Sequence, residues 1–183
     1  MEAAVEVFWE KGFDGASIKD LTRAMGIRGP SLYAAFGDKQ GLFLRAIDRY
    51  AASAGCGPLV AFEEEAEIGA AVRAFLQAVV DHATLQPSGV RGCFLTACVA
   101  TSAGVVEGVD RRLREAIRST DLRLAGRFEA ETAAGRLPAE FPALERARLL
   151  FDLRQGLMLR ARAGIDRETL LADLDQRVAM VLL

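Results

Sequence analysis

Apolar side chains recur every three or four residues along most of this chain, which is the spacing of one buried face of an α-helix. Ala4, Val5, Phe8 and Trp9 form the first such stripe and predict a helix from Glu2 to Lys11. Gly12 suits the left-handed position after a helix end, with Phe13 folding back as its apolar contact. Ser17 reads as the N-cap of a second helix and Asp20 as the reciprocal carboxylate of a capping box. That helix turns Ile18, Leu21, Thr22 and Met25 inward and stops at Gly26. Pro30 fits the first turn of a short third helix, with Leu32 and Phe36 inward and Gly37 at its end. Asp38 caps a fourth helix from Lys39 to about Ala54, whose inner face is Leu42, Phe43, Ala46, Ile47 and Tyr50.

Gly55-Cys56-Gly57-Pro58 is the clear break in the first half. It divides the chain into a domain at 1–50 and a second at 56–183. Beyond it, Ile68–Thr84 reads as a helix and Gln86-Pro87-Ser88-Gly89 as a loop. Glu63-Glu64-Glu65 reads as a solvated helix start. Cys93 to about Ala103 is apolar nearly all round and predicts a buried helix. A long Arg- and Glu-rich amphipathic helix follows from Val106 to Ala134. Leu144–Ala163 is apolar on several faces, and Asp166 caps one last helix along Leu170, Leu171, Leu174, Val178, Val181 and Leu182. The expected fold is all-α: an N-terminal three-helix head with a helix-turn-helix at about 17–36, then a C-terminal helical domain.

Composition supports helix and narrows the function. The 183 residues are 51% hydrophobic and 26% charged, with only two Tyr and one Trp. The formal net charge of −2 excludes a general coat of positive charge, so any nucleic-acid surface must be local. Residues 1–50 carry seven basic and seven acidic side chains, and all three lysines (Lys11, Lys19, Lys39) lie there. Three cysteines, Cys56, Cys93 and Cys98, make no even disulfide framework and suit a reducing, cytoplasmic setting. The longest uncharged run, Gly92–Val106, is too short to span a bilayer, and no leader peptide is read at the N-terminus.

No HExxH, Walker loop or serine elbow is present, so no enzyme is read, and no cofactor. His82, Cys93 and Cys98 lack an evident fourth ligand, so no metal site is expected. Gly26-Ile27-Arg28-Gly29 is the short Gly-bearing turn that a helix-turn-helix requires. The helix after it turns Arg28, Gly29, Pro30, Ser31, Tyr33 and Ala34 away from Leu32 and Phe36. In such a motif that face enters the DNA major groove, and the free N–H groups at its start suit phosphate.

The stretch G-F-x-x-A-S-I-x-D-L followed by M-G-I-x-x-P-S-L-Y-x-x-F-G-D-K-x-x-L-F, from Gly12 to Phe43, resembles the DNA-binding head of the TetR/AcrR family of bacterial transcriptional regulators. The resemblance covers about residues 4 to 50; the remainder resembles the family only in helix order and length. It implies a homodimer on a palindromic double-stranded operator, released by a small-molecule effector. It implies that Ser17 caps the second helix and touches phosphate, with Lys19, Tyr33 and Lys39 as further phosphate contacts. Arg28, Gly29, Pro30 and Ser31 would open the recognition helix, with Arg28 the candidate for guanine readout. The family usually has a basic segment ahead of the first helix, and its phosphate contacts are expected to be missing here. Gly29 also replaces the larger side chain many members carry.

The resemblance further makes 56–183 a ligand-binding and dimerisation domain. Its cavity candidates are Phe75, Val79, His82, Leu95, Cys98, Phe128, Phe151 and Gln155, for a largely apolar effector. The apolar stripe Leu171, Leu174, Val178 and Val181 on the final helix is expected to meet a partner copy. Two alternatives stand beside release by an apolar ligand: sensing of oxidants or electrophiles through Cys93 or Cys98, and a helical dimer acting through protein partners.

Overall fold

A computed structural model describes residues 1–53, 56–85 and 93–183 of the chain. Gly55 and the loop expected at Gln86-Pro87-Ser88-Gly89 lie outside the described residues. The described elements are helical throughout. They form two compact units: Met1–Gly55 with Cys93–Ala116, and Cys56–Gly92 with Ile117–Leu183.

In the first unit, α1 (Glu2–Gly15) runs regularly to Lys11 and kinks where Gly12 takes φ 71°. A side chain would strain that left-handed geometry, so glycine is what lets the chain turn there. α2 (Ile18–Met25) ends at Gly26, φ 66°, whose N–H and that of Ile27 close onto Thr22 O. α3 (Gly29–Phe36) follows, with Gly29 as its first helical residue and Pro30 as its second. α4 (Lys39–Ser53) starts where the Asp38 carboxylate accepts the Gly41 N–H at 2.7 Å.

The core of this unit is aromatic. Phe8 lies 4.8 Å from Phe43, Trp9 5.4 Å from Tyr50, and Phe43 5.1 Å from Phe13, centroid to centroid. Phe94 completes the cluster, 5.2 Å from Tyr50 and 5.8 Å from Trp9. Phe94 belongs to the stretch expected in the second domain. That stretch includes a π-helical turn, Leu95–Val99, followed by the single turn α7 (Ala100–Ser102). Its all-round apolar character is satisfied against α1 and α4: Cys98 donates its thiol hydrogen to Phe8 O at 3.2 Å and Gln40 donates to Glu107 O at 3.1 Å. Segment 93–116 therefore belongs to the unit of residues 1–55, where position along the chain puts it in the second domain.

In the second unit, α5 (Cys56–Glu64) covers α6 (Ile68–Thr84), and α6 packs against α9 (Ala143–Arg162), α10 (Arg167–Leu171) and α11 (Leu174–Leu182). α8 (Val109–Ala133) continues from the first unit into the second. Phe75, Phe62, Phe128 and Phe141 meet in that order through edge-on and tilted contacts, with Phe62 5.6 Å from Phe128 and Phe128 5.4 Å from Phe141. Arg167 holds Asp81 at 2.7 Å, tying α10 to α6, and Arg146 donates to Met180 O at 2.8 Å, tying α9 to α11.

Three expectations change here. Residues 56–64 are helical, so the acidic run Glu63-Glu64-Glu65 closes α5 instead of opening a helix; Glu67 is the side chain that caps α6. The long helix starts at Val109 and not at Val106. The last helix is broken, because Asp173, with φ −113° and ψ 20°, leaves the helical course between α10 and α11.

Candidate nucleic-acid interface

The site is built on the α2–turn–α3 unit. Ser17 accepts the Asp20 N–H at 3.1 Å, and the Asp20 carboxylate accepts the Ser17 N–H at 3.2 Å, so the capping box is closed. The Ser17 hydroxyl also donates to Asp20 at 2.7 Å, and the Lys11 ammonium lies 3.0 Å from the same carboxylate. The Ser17 hydroxyl and the Lys11 cation hold the Asp20 carboxyl down to about 2. α2 is thus locked at its N-terminus, and its one acidic charge is matched.

α3 is held by Leu32, which is fully buried, while the opposite face is open. Arg28, Pro30, Ser31 and Ala34 are exposed, Gly29 is half-exposed, and Tyr33 is 51% exposed although it is a large aromatic. Arg28 sits at the N-cap in extended geometry and makes no capping bond with its side chain. Its guanidinium and the first N–H groups of α3 therefore both face outward at one helix end, where the dipole is positive. An exposed tyrosine, an exposed arginine and an uncapped helix start together suit a phosphate backbone and the base edges beside it.

The expected contacts divide. Lys19 is exposed on α2. Ser17 is exposed too, but both its hydrogens point to Asp20, so it acts first as a cap. Lys39 departs most from expectation. Its ammonium donates to Phe13 O at 2.9 Å and Ala16 O at 3.2 Å and lies 4.5 Å from the Phe13 ring centroid. It is a clamp on the turn between α1 and α2, with two of its three hydrogens used inside the protein. Arg23, not among the expected contacts, is exposed one turn beyond Lys19. Its sequence signal is that four-residue spacing.

The expected effector residues are divided between the two units. Leu95 and Cys98 pack in the first unit, and Phe75, Val79, His82, Phe128, Phe151 and Gln155 lie in the second. Phe75, Val79 and Phe128 are fully buried. His82 on α6 is half-buried; burial, and then the Arg154 charge, push its pKa below the usual histidine value. Arg154, which the sequence did not single out, is only 2% exposed on α9, with its guanidinium 5.9 Å from the Phe151 ring. A groove of about 470 Å³ on the second unit is lined by Glu129, Thr132, Phe141, Leu144 and Glu145, none of them an expected effector residue. Cys93 and Cys98 are buried thiols outside any disulfide, and burial raises the Cys98 thiol to about 11. A thiol so protonated is a poor nucleophile.

The expected dimer stripe also divides. Leu174 and Val181 are 1% and 0% exposed within a single chain, so they belong to its own core. Leu171 and Val178 are half-exposed, while Met180 is 52% and Leu159 69% exposed. The stripe is broad enough around the helix for one edge, Leu174 and Val181 with Leu170, to be buried while Leu171 and Val178 stay at the margin. Among the described residues, no three His, Cys, Asp or Glu are placed to hold a metal ion, and no helix is long and apolar enough to cross a membrane.

Residues 1–46 match the family model for bacterial regulatory proteins of the tetR family. The chain is similar to a solved structure of a cysteine-substituted form of the TetR family transcriptional regulator CifR, complexed with 26-base-pair double-stranded operator DNA. The two share 31% identity with a TM-score of 0.85, over 97% of this chain and 93% of that one. It is also similar to the HTH-type transcriptional repressor ComR of Escherichia coli (strain K12), 27% identical over 93% of this chain and 81% of that one. The repressor BdcR of the same organism is 50% identical over 50 residues, 27% of this chain and 25% of its own.

Proposed function

The chain belongs to the TetR family of DNA-binding transcriptional regulators, which are not enzymes, and from that premise we propose that it is a repressor that binds a palindromic operator as a homodimer and leaves it when a small, largely apolar effector binds. The observation that carries the DNA-binding part is the open face of α3. Arg28, Pro30, Ser31 and Tyr33 are exposed there, while Leu32 fixes the helix to the head from behind. In this reading Arg28 reads a guanine, Tyr33 and Lys19 hold phosphates, and Ser17 positions the start of α2. The CifR complex with operator DNA and the repressor names of ComR and BdcR support the reading.

The dimer is proposed on α9, α10 and α11 of the second unit, where Leu159, Leu171, Val178 and Met180 remain open. Two copies would match the two halves of a palindrome, whose major grooves lie about 34–36 Å apart. The effector is proposed to bind in the second unit near His82, Phe151 and Gln155, and to favour the state that holds DNA poorly. The buried, protonated Cys98 thiol weighs against release through oxidation.

A gel shift with the DNA upstream of the protein's own coding sequence tests this. Binding to one palindromic segment, with a stoichiometry of two chains, is expected. A chain that sediments as a monomer at micromolar concentration and shifts specific and random DNA alike would overturn it.

A further inference from the structure

The distribution of engaged and disengaged cations in the head carries one more assignment. Lys11 is bound to Asp20, Arg49 to Glu2, and Lys39 to the carbonyls of Phe13 and Ala16. The side chains of Lys19, Arg23, Arg28 and Arg45 make no hydrogen bond or ion pair among the described residues, and all four are exposed. Of these, Lys19, Arg23 and Arg28 lie within the helix-turn-helix itself. Lys19 and Arg23 are four residues apart, so they stand on one face of α2, about 6 Å apart along its axis. That interval is comparable with the step between neighbouring phosphates of one strand. Leu21, fully buried, holds α2 to the head from the other side. The acidic residue on α2, Asp20, is neutralised by Lys11, so no local carboxylate draws Arg23 back to the protein.

Resting on the DNA-binding reading above, we infer that Arg23 is a further DNA-contacting residue, which grips a backbone phosphate next to the one held by Lys19. Arg23 takes the place in the contact set that Lys39 vacates by turning inward. A guanidinium offers a fork of donors to phosphate oxygens, so the contact is bidentate and sequence-independent. The competing role is local: a cation in the last turn of α2 favours the helix dipole. The two roles differ in what salt does to them.

The test compares wild type with Arg23→Gln, Arg23→Lys and, as an exposed control on α4, Arg45→Gln. Operator affinity is measured from 50 to 200 mM salt, and folding is followed by denaturation. Each lost phosphate contact lowers the slope of log K against log salt by about 0.9, so a dimer losing two falls by about 1.8. At 50 mM that places Arg23→Gln an order of magnitude or more below wild type, with the deficit shrinking as salt rises. Specificity against random DNA should be unchanged, Arg23→Lys should keep the wild-type slope, and Arg45→Gln should behave as wild type. Arg23→Gln with a wild-type slope overturns the assignment, as does a loss of affinity that only follows a loss of folded protein. A slope that falls equally for Arg45→Gln also overturns it, since general charge then suffices. A wild-type chain that binds no operator would instead refute the DNA-binding reading itself, before any variant is compared.

Discussion

Replacing Lys39 with Met separates the two roles that sequence and structure give this residue. Methionine keeps most of the aliphatic stem and its contact with Phe13 but removes the ammonium. The structure shows that ammonium donating to Phe13 O and Ala16 O, at 2.9 and 3.2 Å, and lying 4.5 Å from the Phe13 ring centroid. A hydrogen bond from a charged donor contributes about 1.5–3 kcal/mol when well buried. Lys39 is half-buried, so the pair together is worth about 2 kcal/mol, and the ring adds about 0.5–1 kcal/mol. The Lys39→Met protein should therefore lose about 2.5–3 kcal/mol in urea or thermal unfolding, or about 5–12 °C in Tm for a chain of this size. Its salt slope for operator binding, corrected for folded fraction, should stay within experimental error of wild type. A phosphate contact makes the opposite demand: unchanged stability and a slope lower by about 1.8 per dimer. That second pattern would refute the clamp and restore Lys39 to the DNA surface.

Ser17→Ala should lower stability by about 1 kcal/mol at neutral pH by opening the capping box. The Asp20 carboxyl is held at about 2, below its ordinary 3.8, so its contribution is whole above pH 4 and lost as pH falls toward 2; the Ser17→Ala deficit should shrink over that window, and a deficit constant to pH 2 contradicts the coupling. Glu131, 2% exposed between Arg127 and Arg136, should cost about 2–3 kcal/mol as Glu131→Gln in a denaturant titration, because two guanidinium groups lose their carboxylate; an unchanged midpoint would show that the network is idle. At pH 8 only about a thousandth of Cys98 is thiolate with its pKa near 11. Peptide-resolved alkylation of the folded protein should therefore leave Cys98 at least about 100-fold slower than in denaturant, and rapid labelling would reopen the thiol-sensing alternative.

The local signals of the head are complete in the sequence. Ser17 and Asp20 make a capping box, Gly12 and Gly26 take left-handed φ, and Leu32 anchors α3, all as spacing predicts. Each depends on residues within about four positions, where backbone geometry leaves few alternatives. What the sequence did not determine is which partner a side chain meets across a long interval. Lys39 reads as a surface cation, yet its ammonium finds carbonyls 26 and 23 residues back along the chain. Cys93–Ala116 reads as part of a second domain by position, yet Phe94 fills an aromatic cluster built from Trp9, Phe43 and Tyr50. An all-round apolar segment states only that it will be buried; shape complementarity among distant aromatics decides against what. The final apolar stripe is the same lesson at shorter range. The helical repeat puts Leu171, Leu174, Val178 and Val181 within one broad stripe, and packing in the second unit takes Leu174 and Val181 into the chain's own core while Leu171 and Val178 stay half-exposed. Periodicity determines that a face is apolar; tertiary packing determines whether it is covered by its own chain or left open to another.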